Sequence, residues 1–274
     1  MLHPAFAQIL TLPGKIRRFE PRIRIKVDRG PYQIRTVESA KEFAAVLRLR
    51  YEIFEREFRG NRFPFGWDTD EYDLLGDHLI ILERSTGRIV GNYRMISSSY
   101  SNRFYSDSEF EMESFLKLPG VKLELGRACI HQDFRNGAVM SLLWRGILAY
   151  VKEVGAQYLF GCTSIKTECP EDVSWLMAYF REKNQIIEDA SIRPIPEYRM
   201  DGLDEEGARR RLNETERLSL IPPLLASYFR AGANLAVPPA YDRYFKCVDF
   251  LTVLNTDRMA ASYERRFGVA ENTL

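Results

Sequence analysis

A strand that runs through a turn into an amphipathic helix constrains this sequence more than any other segment. Residues 121–151 read VKLELGRACIHQDFRNGAVMSLLWRGILAYV. In the second half, apolar residues recur at the i, i+3, i+4, i+7 spacing of one buried helical face. They are Val139, Leu142, Leu143, Gly146, Ile147, Tyr150 and Val151. The pattern predicts a helix whose first turn exposes backbone N–H groups, where the helix dipole favours a phosphate.

The turn before this helix contains groups that suit an anion. Asn136 and Gly137 form the turn, Arg135 adds a positive charge, and no proline removes a backbone N–H group. A phosphate on a pantetheine arm would fit such a helix start. We therefore predict that Arg135, Gly137 and Ala138 bind the phosphate of a donor that carries its acyl group as a phosphopantetheine thioester.

The strand before the turn has an interrupted alternation. Leu123 and Leu125 lie on one face, whereas Ala128 and Ile130 continue the apolar series on the opposite parity. A β-bulge near Gly126 would reconcile the two series, and bulges often re-aim side chains beside active sites. One side of the strand then carries Glu124, Arg127, Cys129 and His131. The alternative is that the two charged residues form only a surface ion pair and the imidazole only ends the strand.

The composition limits the classes of protein and of site. A chain of 274 residues with 45% hydrophobic content can bury an ample core as one domain, or as one domain with an appended part. Four cysteines without a CxxC pair and three histidines without ligand spacing predict no structural metal. A net charge of +1 gives no general reason to bind nucleic acid.

Positive charge is concentrated near the N-terminus, after an apolar stretch at 6–12. The only acidic residues of the segment 15–29 are Glu20 and Asp28, whereas its basic residues are Lys15, Arg17, Arg18, Arg22, Arg24, Lys26 and Arg29. We interpret residues 6–29 as an arm that meets an anionic membrane surface or an acidic carrier protein, or else as a solvated extension. Since no run reaches the roughly 18 apolar residues of a membrane span and no signal peptide is evident, we expect a cytoplasmic protein, peripheral on the inner face of the membrane.

The remaining pattern predicts an α/β fold with a mixed sheet. Ser39 caps a helix that extends to about Phe58, and Arg50 is the polar member of its mostly apolar face. The other predicted elements are strands at 78–83, 88–96, 158–163 and 247–254 and helices at 173–181, 222–229 and 257–267. Strands and helices that alternate in this way favour a sheet with flanking helices.

Short segments that follow one another in a fixed order match one family. They are 47–54 (LRLRYEIF), Asp73 with 77–79 (DHL), 90–94 (VGNYR), 104–105 (FY) with 108–110 (SEF), 124–127 (ELGR), 143–146 (LWRG), 222–225 (PPLL), 239–242 (PAYD) and 249–250 (DF). The chain resembles the bacterial N-acyltransferases that make the lyso form of ornithine lipid by acylating ornithine from acyl carrier protein. This branch of the GNAT superfamily is related to N-acyl amino acid synthases and acyl-homoserine lactone synthases. The likeness covers most of residues 32–267.

The resemblance implies a GNAT-like mixed central sheet with a splayed, bulged strand and flanking helices, plus a C-terminal α/β extension. We therefore expect a basic N-terminal arm at 1–31, an acyltransferase core at 32–169 and a C-terminal part at 170–274 that completes the same domain. The implied activity is transfer of a long fatty acyl group, with or without a 3-hydroxyl, to the α-amine of an amino acid, for which ornithine is the expected acceptor.

Amide formation from a thioester requires a free amine, a polarised carbonyl and a proton for the leaving thiolate. Glu124 is the first candidate for the base that deprotonates the amine, and Glu109 is the second. His131 is a candidate acid, with Tyr158 as its alternative. By resemblance, a backbone N–H group of the splayed strand polarises the carbonyl. That places the donor thioester at Ala128, Cys129 and Ile130.

An amino-acid acceptor also carries a carboxylate, which a guanidinium binds through two parallel hydrogen bonds. Arg127 and Arg94 are the candidates for that contact. Arg50 either binds the acceptor or forms a structural ion pair with Asp73 or Asp77. The ion pair is favoured, because a buried charge needs a partner.

The acidic loop that contains Asp70, Asp73 and Asp77 is a further candidate for the acceptor. Its carboxylates would hold the side-chain amine of ornithine as a cation, and the alternative is a solvated loop. His78, which follows it, is interpreted as a structural histidine, although the family motif also places it among the candidate substrate-binding residues.

The donor and the reaction both have alternatives. In GNAT enzymes that use acetyl-CoA, the pyrophosphate loop has a basic residue followed by repeated glycines, whereas this loop has only Arg135 and Gly137. The sparse loop favours acyl carrier protein over acyl-CoA as co-substrate, and we expect no bound cofactor. An acyl-homoserine lactone synthase would instead need S-adenosylmethionine. A non-catalytic acyl-carrier or membrane-binding protein would use the same scaffold without turnover.

Overall fold

A computed structural model describes residues 14–62, 66–135, 137–211 and 215–259, which fall into two compact units. The described part of unit 1 consists of residues 14–62, 66–103, 123–135 and 137–156, and that of unit 2 consists of residues 104–122, 157–211 and 215–259. These boundaries differ from the expected divisions at 31 and 169. The apolar stretch at 6–12 and most of the expected final helix at 257–267 lie outside the described residues.

The described chain contains both strands and helices along its length. The strands are β1 (Lys26–Arg29), β2 (Tyr32–Thr36), β3 (Asp77–Glu83), β4 (Arg88–Ser97), β5 (Phe110–Glu111), β6 (Val121–Ile130), β7 (Ala156–Ile165), β8 (Ile186–Ile187), β9 (Arg193–Pro194), β10 (Asn234–Ala236), β11 (Ala240–Asp242) and β12 (Cys247–Asn255). The α-helices are α1 (Ala40–Arg50), α2 (Glu113–Lys117), α3 (Ala138–Val154), α4 (Pro170–Glu182), α5 (Glu205–Arg209) and α6 (Pro223–Ala231). The four long strands and the helix α3 that the sequence pattern predicts are confirmed.

Unit 1 contains an antiparallel sheet against which the helices α1 and α3 both pack. Strands β1, β2, β3, β4 and β6 are hydrogen-bonded in that order. Ser39 caps α1 as predicted, because its hydroxyl accepts the N–H group of Glu42 at 3.3 Å. The helix then continues as a π-helix at Tyr51–Phe58. Insertions of this kind are frequent at functional sites, and this one adjoins the cleft described below.

Unit 2 contains the mixed part of the architecture. Strand β12 lies between β7 and β10 and is antiparallel to both, whereas β8 is parallel to β10. Strand β11 returns antiparallel along β12. The apolar core of the unit joins helices and strands through Trp175, Leu176, Phe180, Leu225, Leu235 and Phe250. The predicted α/β class with a mixed sheet is therefore confirmed.

Residues 15–29 pack against the rest of unit 1. Phe19 is buried and stacks on Phe43 with 4.5 Å between the ring centroids. The backbone N–H groups of Arg22 and Ile23 donate to the carboxylate of Asp77 at 2.8 and 2.9 Å. A solvated extension is therefore the wrong interpretation for this segment. Its exposed basic residues are Arg17, Arg18, Arg22, Arg24, Lys26 and Arg29. Within the described ranges, no helix is both long and apolar enough to cross a membrane.

Helix α3 packs against the sheet closely at Gly146. A Cβ atom added there would lie 2.6 Å from Ile34 and 2.7 Å from Leu79. We expect Gly146→Ala to lower the free energy of unfolding by about 1–3 kcal/mol, because overpacking outweighs the gain in helix propensity. Urea denaturation measures the change. Lys152→Ala, at an exposed position of the same helix, is the control, and equal stability of the two variants would contradict the close packing.

Candidate active site

Strand β6 contains the predicted bulge. Gly126 is paired with Arg94 of β4, but the next pair joins Cys129 to Asn92, so β6 has one more residue than β4 between these two pairs. Arg127 adopts a left-handed φ of 52° at this point. Its carbonyl accepts a hydrogen bond from the side chain of Asn92 at 3.1 Å. The bulge thus lies one residue beyond the glycine that suggested it.

The bulge brings Glu124 and Cys129 to the same face of β6, because residues paired across antiparallel strands share a face. Glu124 is opposite Ile96 and is 2% exposed. Cys129 is buried, and that burial raises the pKa of its thiol to about 12. The thiol is therefore not a nucleophile at neutral pH. Of these two side chains, only the glutamate has acid–base chemistry suited to the expected reaction.

A buried cluster of charges lies beside the bulge, and we call it the arginine–aspartate cluster. It consists of Arg50, Arg94, Arg127, Asp68, Asp70 and Asp73. Arg50 donates to Asp68 at 2.7 Å and to Asp73 at 2.5 Å. Arg94 donates to Asp70 at 2.5 Å and to Asp73 at 3.1 Å. Arg127 donates through Nε and Nη2 to Oδ2 of Asp70, at 3.1 and 2.8 Å.

The charges within this cluster balance one another. Burial alone would raise the pKa of Asp70, but the positive charges of Arg94 and Arg127 outweigh it and hold that pKa well below its usual range. For Asp73, burial is likewise outweighed, chiefly by Arg50, and the pKa is lowered. These carboxylates are therefore committed to arginines. The geometry supports the ion pair predicted between Arg50 and Asp73. It does not support the alternative that these carboxylates bind the side-chain amine of the acceptor.

Asp77 is engaged elsewhere. Besides the N–H groups of Arg22 and Ile23, its carboxylate accepts a hydrogen bond from the hydroxyl of Tyr150 at 2.7 Å. An ion pair between Arg50 and Asp77, the other predicted alternative, is therefore wrong. Asp77 instead connects Arg22 and Ile23 to α3 through hydrogen bonds. Its position is therefore structural rather than substrate-binding.

The two candidate histidines have different surroundings. His78 is fully buried with Nε2 3.0 Å from the carbonyl oxygen of Asp73, and burial lowers its pKa to about 4. It is therefore neutral and structural. His131 lies at the end of β6, where Nδ1 accepts the N–H group of Asp133 at 3.3 Å and Nε2 contacts the guanidinium of Arg88.

A polar cleft of about 360 Å³ lies beside His131. The residues that line it are Glu52, Ile53, Arg56, Glu57, Arg62, His131 and Gln132.

The predicted phosphate-binding turn is described except for Asn136, which lies outside the described residues. Gly137 adopts a left-handed φ of 77° and immediately precedes α3. Arg135 is paired with the carboxylate of Glu57 at 2.5 and 2.7 Å, and its Nε donates to the carbonyl of Ile130 at 2.9 Å. A donor phosphate would therefore compete with Glu57 for the guanidinium.

Glu109, the second candidate base, belongs to unit 2 and lies beside Asp242 and Asp249. Burial, and then the negative charge of Asp249, raises the pKa of Glu109 well above its usual value. The sequence did not predict this grouping. Nor did it predict Asp68 as a cluster member, and Asp70 was suggested only as a cation ligand. The available signal was that Arg50 and Arg94 lie in apolar surroundings, since buried charges there require carboxylate partners.

Comparison with known proteins defines the family. Residues 49–145 match the model of the acetyltransferase (GNAT) domain. The chain is 30% identical over 252 residues to the L-ornithine N(alpha)-acyltransferase of Rhizobium meliloti (strain 1021), and this alignment covers 86% of the chain and 84% of that protein. The chain belongs to the L-ornithine N(alpha)-acyltransferase family. It is therefore an N-acyltransferase, and the family resemblance inferred from the sequence motifs is confirmed.

Two further relatives differ in how much of this acyltransferase they match. The L-ornithine N(alpha)-acyltransferase of Rhodobacter capsulatus is 30% identical over 248 residues, which cover 85% of this chain and 93% of that protein. The acyl-homoserine-lactone synthase of Vibrio anguillarum is 29% identical over 98 residues, which cover 34% of this chain and 49% of that protein. The lactone synthase is thus the more distant relative.

Proposed function

We propose that this acyltransferase moves a long fatty acyl group from the phosphopantetheine thioester of acyl carrier protein to the α-amine of ornithine. The observation that carries the proposal is the bulged β6, on which buried Glu124 shares a face with groups of the arginine–aspartate cluster. The names of the relatives that align over most of their length support ornithine as the acceptor. The products are an Nα-acyl-ornithine and the free pantetheine thiol.

The proposed chemistry begins with the α-ammonium of ornithine. Glu124 accepts one of its protons, directly or through a water, and the amine then attacks the thioester carbonyl. An N–H group at the bulge, from Ala128 or Cys129, donates to the developing oxyanion. The new C–N bond forms and the C–S bond breaks, while the attacking nitrogen loses its second proton to solvent. The thiolate takes a proton, for which His131 is the proposed donor.

Arg127 is the arginine proposed to bind the carboxylate of ornithine. Its side chain is 14% exposed, whereas those of Arg50 and Arg94 are 0% and 1% exposed. Asp70 holds the Arg127 guanidinium in place through two hydrogen bonds, which reduces the entropy lost when a second carboxylate binds. Arg50 and Arg94 then act as positioning residues for Asp70 and Arg127.

The proposed donor is acyl carrier protein rather than acyl-CoA. The turn before α3 offers one arginine, already shared with Glu57, which suits one phosphate better than a nucleotide. The test is to supply ornithine with the same acyl chain on acyl carrier protein and on CoA and to identify products by mass. We expect Nα-acyl-ornithine, formed faster from the carrier protein. A lactone formed only with S-adenosylmethionine, or no product from either donor, would contradict the proposed function.

We also propose that the exposed basic residues near the N-terminus contact an anionic membrane. Replacing Arg17, Arg18 and Arg24 by glutamate should weaken sedimentation with phosphatidylglycerol vesicles at least tenfold, because each basic residue near such a surface contributes about 1 kcal/mol. Activity on soluble substrates should be unchanged. The control is a variant in which three exposed arginines of unit 2 are replaced by glutamate: Arg210, Arg230 and Arg258. Equal effects of the two variants would exclude a specific membrane role.

A further inference from the structure

Asn92 is a buried polar residue beside the bulge of β6. It lies on β4, is 0% exposed and is paired with Cys129 of β6. Cys129 belongs to a small apolar cluster with Leu49 and Ile53. Because residues paired across antiparallel strands share a face, the amide of Asn92 lies next to this apolar cluster. Its burial costs free energy unless the amide is hydrogen-bonded, so its partners indicate its role.

The side chain of Asn92 contacts the residues on both sides of Ala128. Its Nδ2 donates to the carbonyl oxygen of Arg127 at 3.1 Å, and a hydrogen bond also joins the side chain to the thiol of Cys129. Arg127 has the left-handed φ of 52°, which is uncommon for a residue other than glycine. Asn92 therefore holds the backbone at the point where it departs from regular strand geometry.

The hydrogen bond to Arg127 also fixes the direction of the N–H group that follows. The carbonyl of Arg127 and the N–H group of Ala128 belong to one planar peptide unit. This peptide bond is trans, so the two groups point in opposite directions. With the carbonyl directed at the amide of Asn92, the N–H group of Ala128 points away from that amide.

The register of β4 and β6 distinguishes Ala128 from Cys129, the other candidate donor to the oxyanion. The N–H group of His131 donates to the carbonyl of Val90 at 2.9 Å, so these two residues form a hydrogen-bonded pair. Such pairs alternate with non-bonded pairs along an antiparallel ladder. The next one joins Cys129 to Asn92, which commits the N–H group of Cys129 to a backbone carbonyl. Ala128 is therefore the better candidate.

We propose that Asn92 is a positioning residue for acyl transfer. It holds the peptide unit between Arg127 and Ala128 so that the N–H group of Ala128 donates to the oxyanion that forms on the thioester carbonyl. This inference rests on the proposed function, which places the donor thioester at the bulge. A donor oriented in advance needs no reorganisation when negative charge develops, so its orientation affects the transition state more than the bound substrate.

The first test is Asn92→Leu, which keeps a side chain of similar size but removes the hydrogen-bond donor. We expect kcat to fall by about 10–100-fold, less than the roughly 10²–10³-fold that follows outright removal of an oxyanion donor. The KM for the acyl donor should change little. The same rates are measured with the corresponding dithioester, because its C=S group accepts hydrogen bonds only weakly. We expect the preference for the thioester over the dithioester to fall at least about tenfold.

The control for this test is Gly146→Ala, which disturbs the packing of α3 on the sheet at another place in unit 1. A purely structural loss lowers the rates on both substrates in the same proportion, so this variant should keep the wild-type preference. If Asn92→Leu does not fold, Asn92→Ser replaces it, because its hydroxyl is too short to reach the carbonyl. A preference equal to that of the wild type, in either variant, would overturn the proposal.

The second test does not depend on turnover. Infrared difference spectroscopy measures the C=O stretching frequency of an isotope-labelled hexadecanoyl thioester on acyl carrier protein, bound without ornithine. We expect a lower frequency in the wild type and in Gly146→Ala than in Asn92→Leu, because the N–H group of Ala128 polarises the carbonyl. Equal frequencies in all three proteins would overturn the proposal. If the wild type acylates no ornithine, the proposed function fails, but these frequencies still decide the role of Asn92.

Discussion

Glu124→Gln is expected to lower kcat for ornithine acylation by about 10²–10⁴-fold, the usual contribution of a positioned general base. The amide preserves the size of the side chain but cannot accept the proton that the α-ammonium must lose. Since a base acts chiefly in the transition state, the KM for ornithine should change little. Steady-state kinetics with acyl carrier protein thioesters measures both constants.

The control for this experiment is Glu153→Gln, which makes the same change at an exposed position of α3. We expect its kcat to equal that of the wild type. If Glu124→Gln also retains kcat within about threefold while remaining folded, Glu124 is not the base, because a positioned general base typically contributes at least about 100-fold. Glu109, the second candidate base, would then become the first candidate.

Arg50→Met is expected to lower the free energy of unfolding by about 3–5 kcal/mol, because it leaves Asp68 and Asp73 buried without their shared cation. Methionine retains much of the apolar stem, so the loss reflects charge more than packing. The arginine is 0% exposed and bonds both carboxylates at 2.7 Å or less. Urea or thermal denaturation of the purified variant measures the change.

The matched control is Arg84→Met, which removes an exposed arginine 3.7 Å from the carboxylate of Asp28. Its effect should stay within about 0.5 kcal/mol, as is usual for exposed pairs. This pair of variants also separates the two roles that the sequence left open for Arg50. Unchanged stability with a raised KM for ornithine would assign Arg50 to the acceptor and contradict the structural ion pair.

The local features of the site could be read from the sequence because they depend on neighbouring residues. The change of parity between Leu125 and Ala128 predicted a bulge, since only an extra residue lets both series face the core. The position of Arg50 on an apolar helical face predicted a carboxylate partner, because an unpaired buried charge is too costly. Both inferences used one segment at a time.

The contacts between distant segments could not be read in this way. Arg135 was predicted to meet a phosphate, but Glu57, 78 residues earlier, occupies its guanidinium. Nothing in the local pattern brings Glu109 to Asp242 and Asp249, because these residues lie far apart in the sequence. The charge pattern of the segment 15–29 suggested an arm, because charges alone do not reveal that Phe19 stacks on Phe43.

The central claim, that Glu124 removes the proton from the acceptor amine, is tested most directly by the pH dependence of kcat/KM for ornithine. In Glu124→Gln only amine already deprotonated in solution can react, so kcat/KM should rise about tenfold per pH unit from about pH 7 toward the pKa of the amine. The wild type should show a nearly flat profile over the same range. Parallel profiles for the two proteins would contradict the account.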